Sequence, residues 1–155
     1  MTPAINQAKQ AKIQFQVHEY QHDPKAASYG AEAADKLRLA TKQVFKTLVL
    51  SDEHKQMYVA VVPVAYQLNL KSFAKALGIK KVNMADKAQV SKTGYVLGGV
   101  SPIGQKRLLP TIIDSSALNF NTIFVSAGRR GLEIELAAAD LQQLTRAQFS
   151  VINQS

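Results

Sequence analysis

The fold is indicated first by two apolar segments, Val44-Phe45-Lys46-Thr47-Leu48-Val49-Leu50 and Tyr58-Val59-Ala60-Val61-Val62-Pro63-Val64. Both are rich in β-branched and apolar residues, which predicts two β-strands. The polar segment at 51–56 between them is typical of a turn. We therefore expect two strands joined by a short connection.

Working outward from these strands, the chain alternates between short strands and short helices. Four helices are predicted: 3–12 after the N-cap Thr2, 31–39 after Ser28, a helix from Asn69 to Gly78, and 140–144. Further strands are predicted at 13–18, 95–97, 111–114, 122–126, 132–136 and 149–152. Strands outnumber helices and no regular βαβ order is present. We therefore expect an α+β domain with a mixed, mostly antiparallel, barrel-like sheet and peripheral helices.

Length and composition exclude several classes of protein. The 155 residues fit one domain, which we expect to span 1–155. A chain with 46% hydrophobic and 19% charged residues is too apolar to be disordered. The absence of cysteine excludes disulfides, thiolate metal sites and a cysteine nucleophile. We find no signal-peptide pattern and no apolar run long enough to span a bilayer, and so expect a cytoplasmic protein without a membrane partner.

Lys46 is the first candidate functional residue. On its predicted strand it shares a face with Val44, Leu48 and Leu50, and a lysine among aliphatic side chains is costly to desolvate. The common alternative is an edge-strand lysine whose ammonium reaches water. The strand alone favours that alternative.

Two glycine-containing segments are candidate binding loops. Ser91–Gly104 contains Gly98-Gly99 and Ser101, and Ser126–Gly131 contains two arginines between glycines. Backbone N–H groups in such turns can hold an oxyanion or a carbonyl, and arginines suit phosphate or carboxylate. Neither segment is a Walker loop, and ordinary turns between strands remain the alternative.

The histidines do not indicate a metal site or a nucleophile–histidine pair. His18 and His22 are four residues apart, but the local pattern is that of a strand and Asp23-Pro24 interrupts it. Tyr20, beside His18, either borders a pocket or only packs. We expect no metal and no cofactor.

The net charge of +8 favours a polyanionic partner. Lysines are concentrated between positions 71 and 92, at Lys71, Lys75, Lys80, Lys81, Lys87 and Lys92. Each one alone is equally consistent with a solvated surface.

Several segments taken together resemble the YbaK family. They are the opening Met1-Thr2-Pro3-Ala4, the motif His18-x-Tyr20-x-His22-Asp23-Pro24, the stretch Phe45-Lys46-Thr47-Leu48-Val49, and the 91–104 and 126–131 segments. Members of this family are free-standing trans-editing proteins related to the editing domain of bacterial prolyl-tRNA synthetases. The resemblance covers about residues 1–152. It implies a deacylase that removes cysteine from mischarged tRNA(Pro) and also acts on Cys-tRNA(Cys), with prolyl-tRNA synthetase as a further partner.

The resemblance also implies site residues. Lys46 would be the key catalytic lysine and Tyr20 a pocket aromatic. Gly98, Gly99 and Ser101 would form the wall that faces the ester. Gly128 would lie on the second loop, and Glu133 would be the acid that closes the pocket. Two positions depart from the family pattern: the second loop reads Ser-Ala-Gly for the expected Ser-Gly-Gly, and Glu133 replaces an expected aspartate.

In this family the thiol of the substrate is thought to attack its own ester, which would require no metal, histidine base or protein thiol. Two alternatives remain at this point. One is an editing domain of different specificity, such as hydrolysis of Ala-tRNA(Pro) by activated water. The other is a non-catalytic tRNA-binding module, which the low aromatic content of 7% disfavours.

Overall fold

The computed structural model describes residues 1–26, 28–95 and 100–155, and these form an α+β structure. The described helices are α1 (Pro3–Gln10), α2 (Tyr29–Lys36), α3 (Leu70–Leu77), α4 (Lys87–Thr93) and α5 (Ala138–Thr145), with a 3-10 helix at Ser115–Asn119. The described strands are β1 (Phe15–Glu19), β2 (Phe45–Asp52), β3 (Met57–Pro63), β4 (Gln67–Leu68), β5 (Val82–Met84), β6 (Thr111–Asp114), β7 (Ile123–Ser126), β8 (Leu132–Leu136), β9 (Gln148–Ser150) and β10 (Asn153–Gln154).

The strands form mixed, mostly antiparallel sheets, as the sequence predicts. The largest has the order β5-β2-β3-β6-β9, in which β3, β6 and β9 run parallel to one another and the other pairs are antiparallel. A second sheet, β1-β8-β7, is antiparallel throughout, and β10 pairs with β4. A single parallel bridge, Val44 to Phe124, joins the two larger sheets. Among the described residues the sheets do not close into a complete barrel.

Strand β2 separates two parts of the hydrophobic core because its side chains alternate between them. Phe45 and Val49 belong to a large cluster that includes the inner face of β8, whereas Leu50 packs with Phe73 of α3. Lys46 lies opposite Val62 in the register with β3. The alternation therefore directs Lys46 away from the large cluster, onto the face of Leu48 and Leu50.

The predicted helix caps are confirmed. The Thr2 hydroxyl accepts the Ile5 N–H, and the Asn69 side chain accepts the Ser72 N–H. Gly78 ends α3 with φ +71°, a left-handed conformation that glycine adopts at little cost. Several predicted boundaries are shifted: α1 ends at Gln10, α2 spans Tyr29–Lys36, and the strand expected at 149–152 is Gln148–Ser150.

The sequence prediction missed α4 and β5. Val90 is the buried residue of α4, so the helix has no apolar stripe, and it is defined instead by a capping box between Asp86 and Gln89. Strand β5 has three residues and pairs only with the end of β2. The strand predicted at 95–97 falls mainly on residues 96 and 97, outside the described part of the chain. No helix among the described residues has the length and apolarity that a membrane span requires.

Candidate functional site

Lys46 lies where α2 packs closely on the β2–β3 pair. A Cβ atom added to Gly30 of α2 would lie 2.5 Å from Val64 Cγ2 and 3.9 Å from Lys46 Cβ, so only glycine allows this approach. Lys46 is half-buried, and this burial lowers the pKa of its ammonium. Within the described chain it makes no ion pair. Lys46 is therefore partly desolvated, and β2 is paired on one side only at this position, as the edge-strand alternative expects.

A small hydrophobic cluster, here called the α2 cluster, lies beside Lys46. Its buried members are Ala33, Ala34, Val44 and Phe124, and Tyr20 packs against it. Val44 precedes Lys46 by two positions and therefore points to the same face of the chain. The α2 cluster thus places Tyr20 in the neighbourhood of Lys46.

Glu133 is the most deeply buried acid of the candidate site. It lies on β8 between His18 of β1 and Ser126 of β7, and only 5% of its surface is exposed. This burial raises the pKa of Glu133 to about 8, so the carboxyl is largely protonated at neutral pH. Burial also raises the pKa of the Tyr20 phenol, and the nearby Glu133 charge raises it further. The Tyr20 N–H donates to the Gly131 carbonyl at 3.0 Å, so Tyr20 lies next to the strand that carries Glu133.

Glu135, two residues further along the same strand face, is in the opposite electrostatic state. It contacts His18 Nε2 at 2.9 Å and accepts a hydrogen bond of 2.5 Å from the Thr122 hydroxyl. Burial alone would raise its pKa, but these bonds and the His18 charge outweigh that effect and lower the pKa. The two acids on this face thus differ in ionisation at neutral pH. The sequence analysis missed Glu135, whose only signal is the alternation of acidic and apolar residues at 132–136.

Glu32, also missed from the sequence, fastens the loop after Tyr20 to α2. Its carboxylate contacts His22 Nδ1 at 2.7 Å and accepts the Asp23 N–H at 2.8 Å. Burial tends to raise the pKa of Glu32, yet these hydrogen bonds and the charges of His22 and Lys36 hold it below the ordinary value. His18 and His22 therefore contact two different carboxylates, and Glu32 indirectly positions Tyr20.

Ser101 and Gly128 both line a cavity of about 320 Å³, which Lys106 and Arg107 also line. The buried Ser101 hydroxyl accepts the Ile103 N–H at 3.2 Å. Gly128 has φ +104°, which favours glycine, and its N–H donates to the Ser126 hydroxyl at 3.2 Å.

Ser126 connects the two groups of candidate residues. It binds Gly128 through its hydroxyl and lies opposite Glu133 in the strand register. The structure therefore brings Tyr20 next to the strand of Glu133 and to the α2 cluster, and brings Ser101 and Gly128 together in the cavity of about 320 Å³. Gly98 and Gly99, the other predicted wall residues, lie outside the described residues.

The raised pKa of Glu133 predicts a pH-dependent stability that glutamine at this position would remove. The folded protein holds a proton on Glu133 between about pH 4.5 and pH 8 that the unfolded chain has released, so wild-type stability falls as the pH rises through this range. At about 1.4 kcal/mol per unit, Glu133→Gln should gain about 4 kcal/mol over wild type between pH 5 and pH 8. Urea unfolding of both proteins across this range measures the difference.

Glu135→Gln is the matched control, since it alters an acid on the same strand face. The pKa of Glu135 is lowered, so its contribution to stability is lost only as the pH falls below the ordinary value of 4.5, and the stability difference between Glu135→Gln and wild type should stay nearly constant from pH 5 to pH 8. A stability difference between Glu133→Gln and wild type that stays constant from pH 5 to pH 8 would show that Glu133 is ionised in the folded protein.

Comparison with known proteins identifies the family. The family model of the aminoacyl-tRNA editing domain matches residues 23–144 of this chain. The chain belongs to the aminoacyl-tRNA editing family. This membership confirms the YbaK-type resemblance and supports aminoacyl-tRNA deacylase activity. This editing domain and EbsC of Enterococcus faecalis are 38% identical in sequence over 152 residues, which cover 97% of this chain and 92% of EbsC. EbsC is named a Cys-tRNA(Pro)/Cys-tRNA(Cys) deacylase.

Solved structures share the fold of this editing domain. The crystal structure of hypothetical protein APE2540 has a TM-score of 0.86 at 24% identity and covers 98% of this chain and 99% of its own. A crystal structure described as a trans-editing enzyme for prolyl tRNA synthetase has a TM-score of 0.83 at 22% identity and covers 100% and 99%. At these identities the likeness establishes the fold alone.

Proposed function

We propose that this editing domain acts in trans to remove cysteine from Cys-tRNA(Pro), and also from Cys-tRNA(Cys), by attack of the substrate thiol on its own ester. The family membership and the name of EbsC support the deacylase class and the cysteine substrate. Prolyl-tRNA synthetase is a proposed partner. Self-attack is favoured by the cysteine substrate that the name of EbsC indicates, because cysteine carries its own nucleophile next to the ester.

At neutral pH Glu133 and Tyr20 are mostly protonated and can donate a proton. Glu133, with its pKa raised to about 8, is largely a neutral acid at pH 7, and the Tyr20 phenol, with its pKa raised, is neutral as well. The chain has no cysteine to act as nucleophile. A cysteine thiol on the substrate has a pKa of about 8.5 and is partly ionised near neutral pH, whereas a serine hydroxyl is not.

The proposed step conserves atoms and charge. The substrate thiol loses its proton, its sulfur forms a bond with the ester carbonyl carbon, and the bond from that carbon to the terminal ribose oxygen breaks. The ribose oxygen takes up a proton and leaves as a hydroxyl of free tRNA. The other product is a cyclic thiolactone.

In this step the protein supplies orientation and charge. Holding the sulfur against the carbonyl can contribute on the order of 7–11 kcal/mol. Lys46 anchors the terminal ribose-phosphate end or the ester region, and the lowered pKa of its ammonium makes it a better proton donor to the leaving oxygen. The backbone amides of Gly98, Gly99 and Ser101 are proposed to hold the carbonyl, on the basis of the family resemblance.

A panel of esters tests this function. Cys-tRNA(Pro) and Cys-tRNA(Cys) should be cleaved, Ser- and Ala-tRNA should remain intact, and mass spectrometry should detect a thiolactone. Cleavage of Ala-tRNA at a rate comparable to Cys-tRNA would indicate water attack. Binding of every ester without turnover at any pH would indicate a non-catalytic tRNA-binding module.

A further inference from the structure

Positive charge is concentrated in one segment outside the candidate site. Residues 69–94 contain six lysines and a single acid, Asp86, so this segment supplies +5 of the net charge of +8. Asp86 is engaged as the N-cap of α4, where its side chain accepts the Gln89 N–H at 2.7 Å. The excess of positive charge is therefore not neutralised within the segment.

Helices α3 and α4, with β5 between them, display these lysines on the surface. All six are exposed, and within the described residues none forms an ion pair: Lys71, Lys75, Lys80, Lys81, Lys87 and Lys92. Lys71 and Lys75 are one turn apart on α3, whose opposite side buries Phe73 against the core. We call these six residues the lysine surface.

The lysine surface borders a cavity of about 550 Å³ between α3 and β5. Leu70, Ala74 and Val82 give the cavity an apolar floor, and its rim contains Lys71, Lys80, Lys81, Asn83 and Glu53. An apolar floor with cations around it suits a nucleotide unit of RNA, in which the faces of the base are apolar and the phosphate is anionic.

The lysine surface is also continuous along the chain with the candidate site. Lys92 lies in the last turn of α4, and the next two residues, Thr93 and Gly94, line the cavity that holds Ser101 and Gly128. Lys106 and Arg107 extend the positive charge around that cavity. A single extended polyanion could therefore contact the lysine surface and reach the candidate site.

We propose that the lysine surface binds the phosphodiester backbone of RNA, separately from the groups that hold the aminoacyl ester. The inference rests on the proposed function only for the identity of that RNA as tRNA. Lysines that neutralise phosphates release counterions, and four such contacts give a slope of about −3 for log affinity against log salt concentration. RNA is favoured over an acidic protein because, among the described residues, the six lysines form no ion pair and three of them line an apolar cavity of the size of a nucleotide site.

The test compares two double charge reversals, Lys80→Glu/Lys81→Glu on the lysine surface and Lys9→Glu/Lys25→Glu elsewhere. All four lysines are exposed, and both variants change the net charge from +8 to +4. Binding of uncharged tRNA is measured by fluorescence anisotropy from 50 to 300 mM salt. Cleavage of cysteinyl-adenosine, an ester without phosphodiesters, is measured in parallel, and AMP and an acidic peptide are added as competitors.

Lys80→Glu/Lys81→Glu should weaken tRNA binding about tenfold or more and reduce the salt slope by about 2, with cysteinyl-adenosine cleavage unchanged. The control should change tRNA binding much less. Equal weakening by both variants would mean that only net charge matters and would overturn the proposal.

Displacement of tRNA by AMP would identify a free-nucleotide site, and displacement by the acidic peptide would identify a protein-docking surface. Either result would also overturn the proposal. If wild type binds tRNA but cleaves no cysteine ester, the proposed function fails while the lysine surface remains testable.

Discussion

Lys46→Ala should lower kcat/KM for Cys-tRNA(Pro) by roughly 100- to 1,000-fold, the loss typical of removing one group that stabilises charge in a transition state. The lysine is half-buried beside the α2 cluster, makes no ion pair within the described chain, and has a lowered pKa. Its positive charge is thus available to the ester or to the leaving ribose oxygen. Single-turnover deacylation with purified Cys-tRNA(Pro) measures the effect.

The stability of the same variant separates this role from a structural one. Because burial disfavours the charged form of Lys46, removing the charge should not lower the free energy of unfolding appreciably. Lys42→Ala alters an exposed lysine just before the same strand and should retain wild-type turnover. Unchanged turnover in Lys46→Ala, or an equal loss in Lys42→Ala, would remove Lys46 from the catalytic site.

The elements with strong local signals were predictable from the sequence. The strands Thr111–Asp114 and Leu132–Leu136 have the predicted bounds, and Asn69 and Gly78 mark both ends of α3 as expected. Elements that depend on partners distant in the sequence were not predictable from it. Strand β5 exists because the end of β2 pairs with it, and α4 is held by its cap and by Val90. Local composition has no signal for either arrangement.

The candidate site shows the same division. A lysine on an apolar strand face is visible in the sequence, but the approach of α2 to Lys46, which depends on Gly30, is a tertiary property. Glu133 and Glu135 occupy equivalent alternating positions, and only the structure shows that one is buried and the other bound to His18 and Thr122. The division of the predicted residues between two groups joined by Ser126 likewise depends on the register of β7 and β8.

The substrate sulfur is the reagent in the proposed mechanism, so blocking it should have the largest effect of all. A methyl group on the cysteine sulfur leaves the ester, the α-amino group and the tRNA unchanged, but the thioether has no proton to lose and cannot close a neutral thiolactone. Given the large effective concentration of an intramolecular nucleophile, cleavage should slow by about 1,000-fold or more.

The direct measurement is the rate of deacylation of S-methylcysteinyl-tRNA(Pro) by the wild-type protein, relative to that of Cys-tRNA(Pro). Inhibition of Cys-tRNA(Pro) cleavage by the methylated substrate serves as the control that it still occupies the site. We expect strong inhibition together with almost no cleavage of the methylated ester. Cleavage of the two esters at similar rates would contradict attack by the substrate thiol.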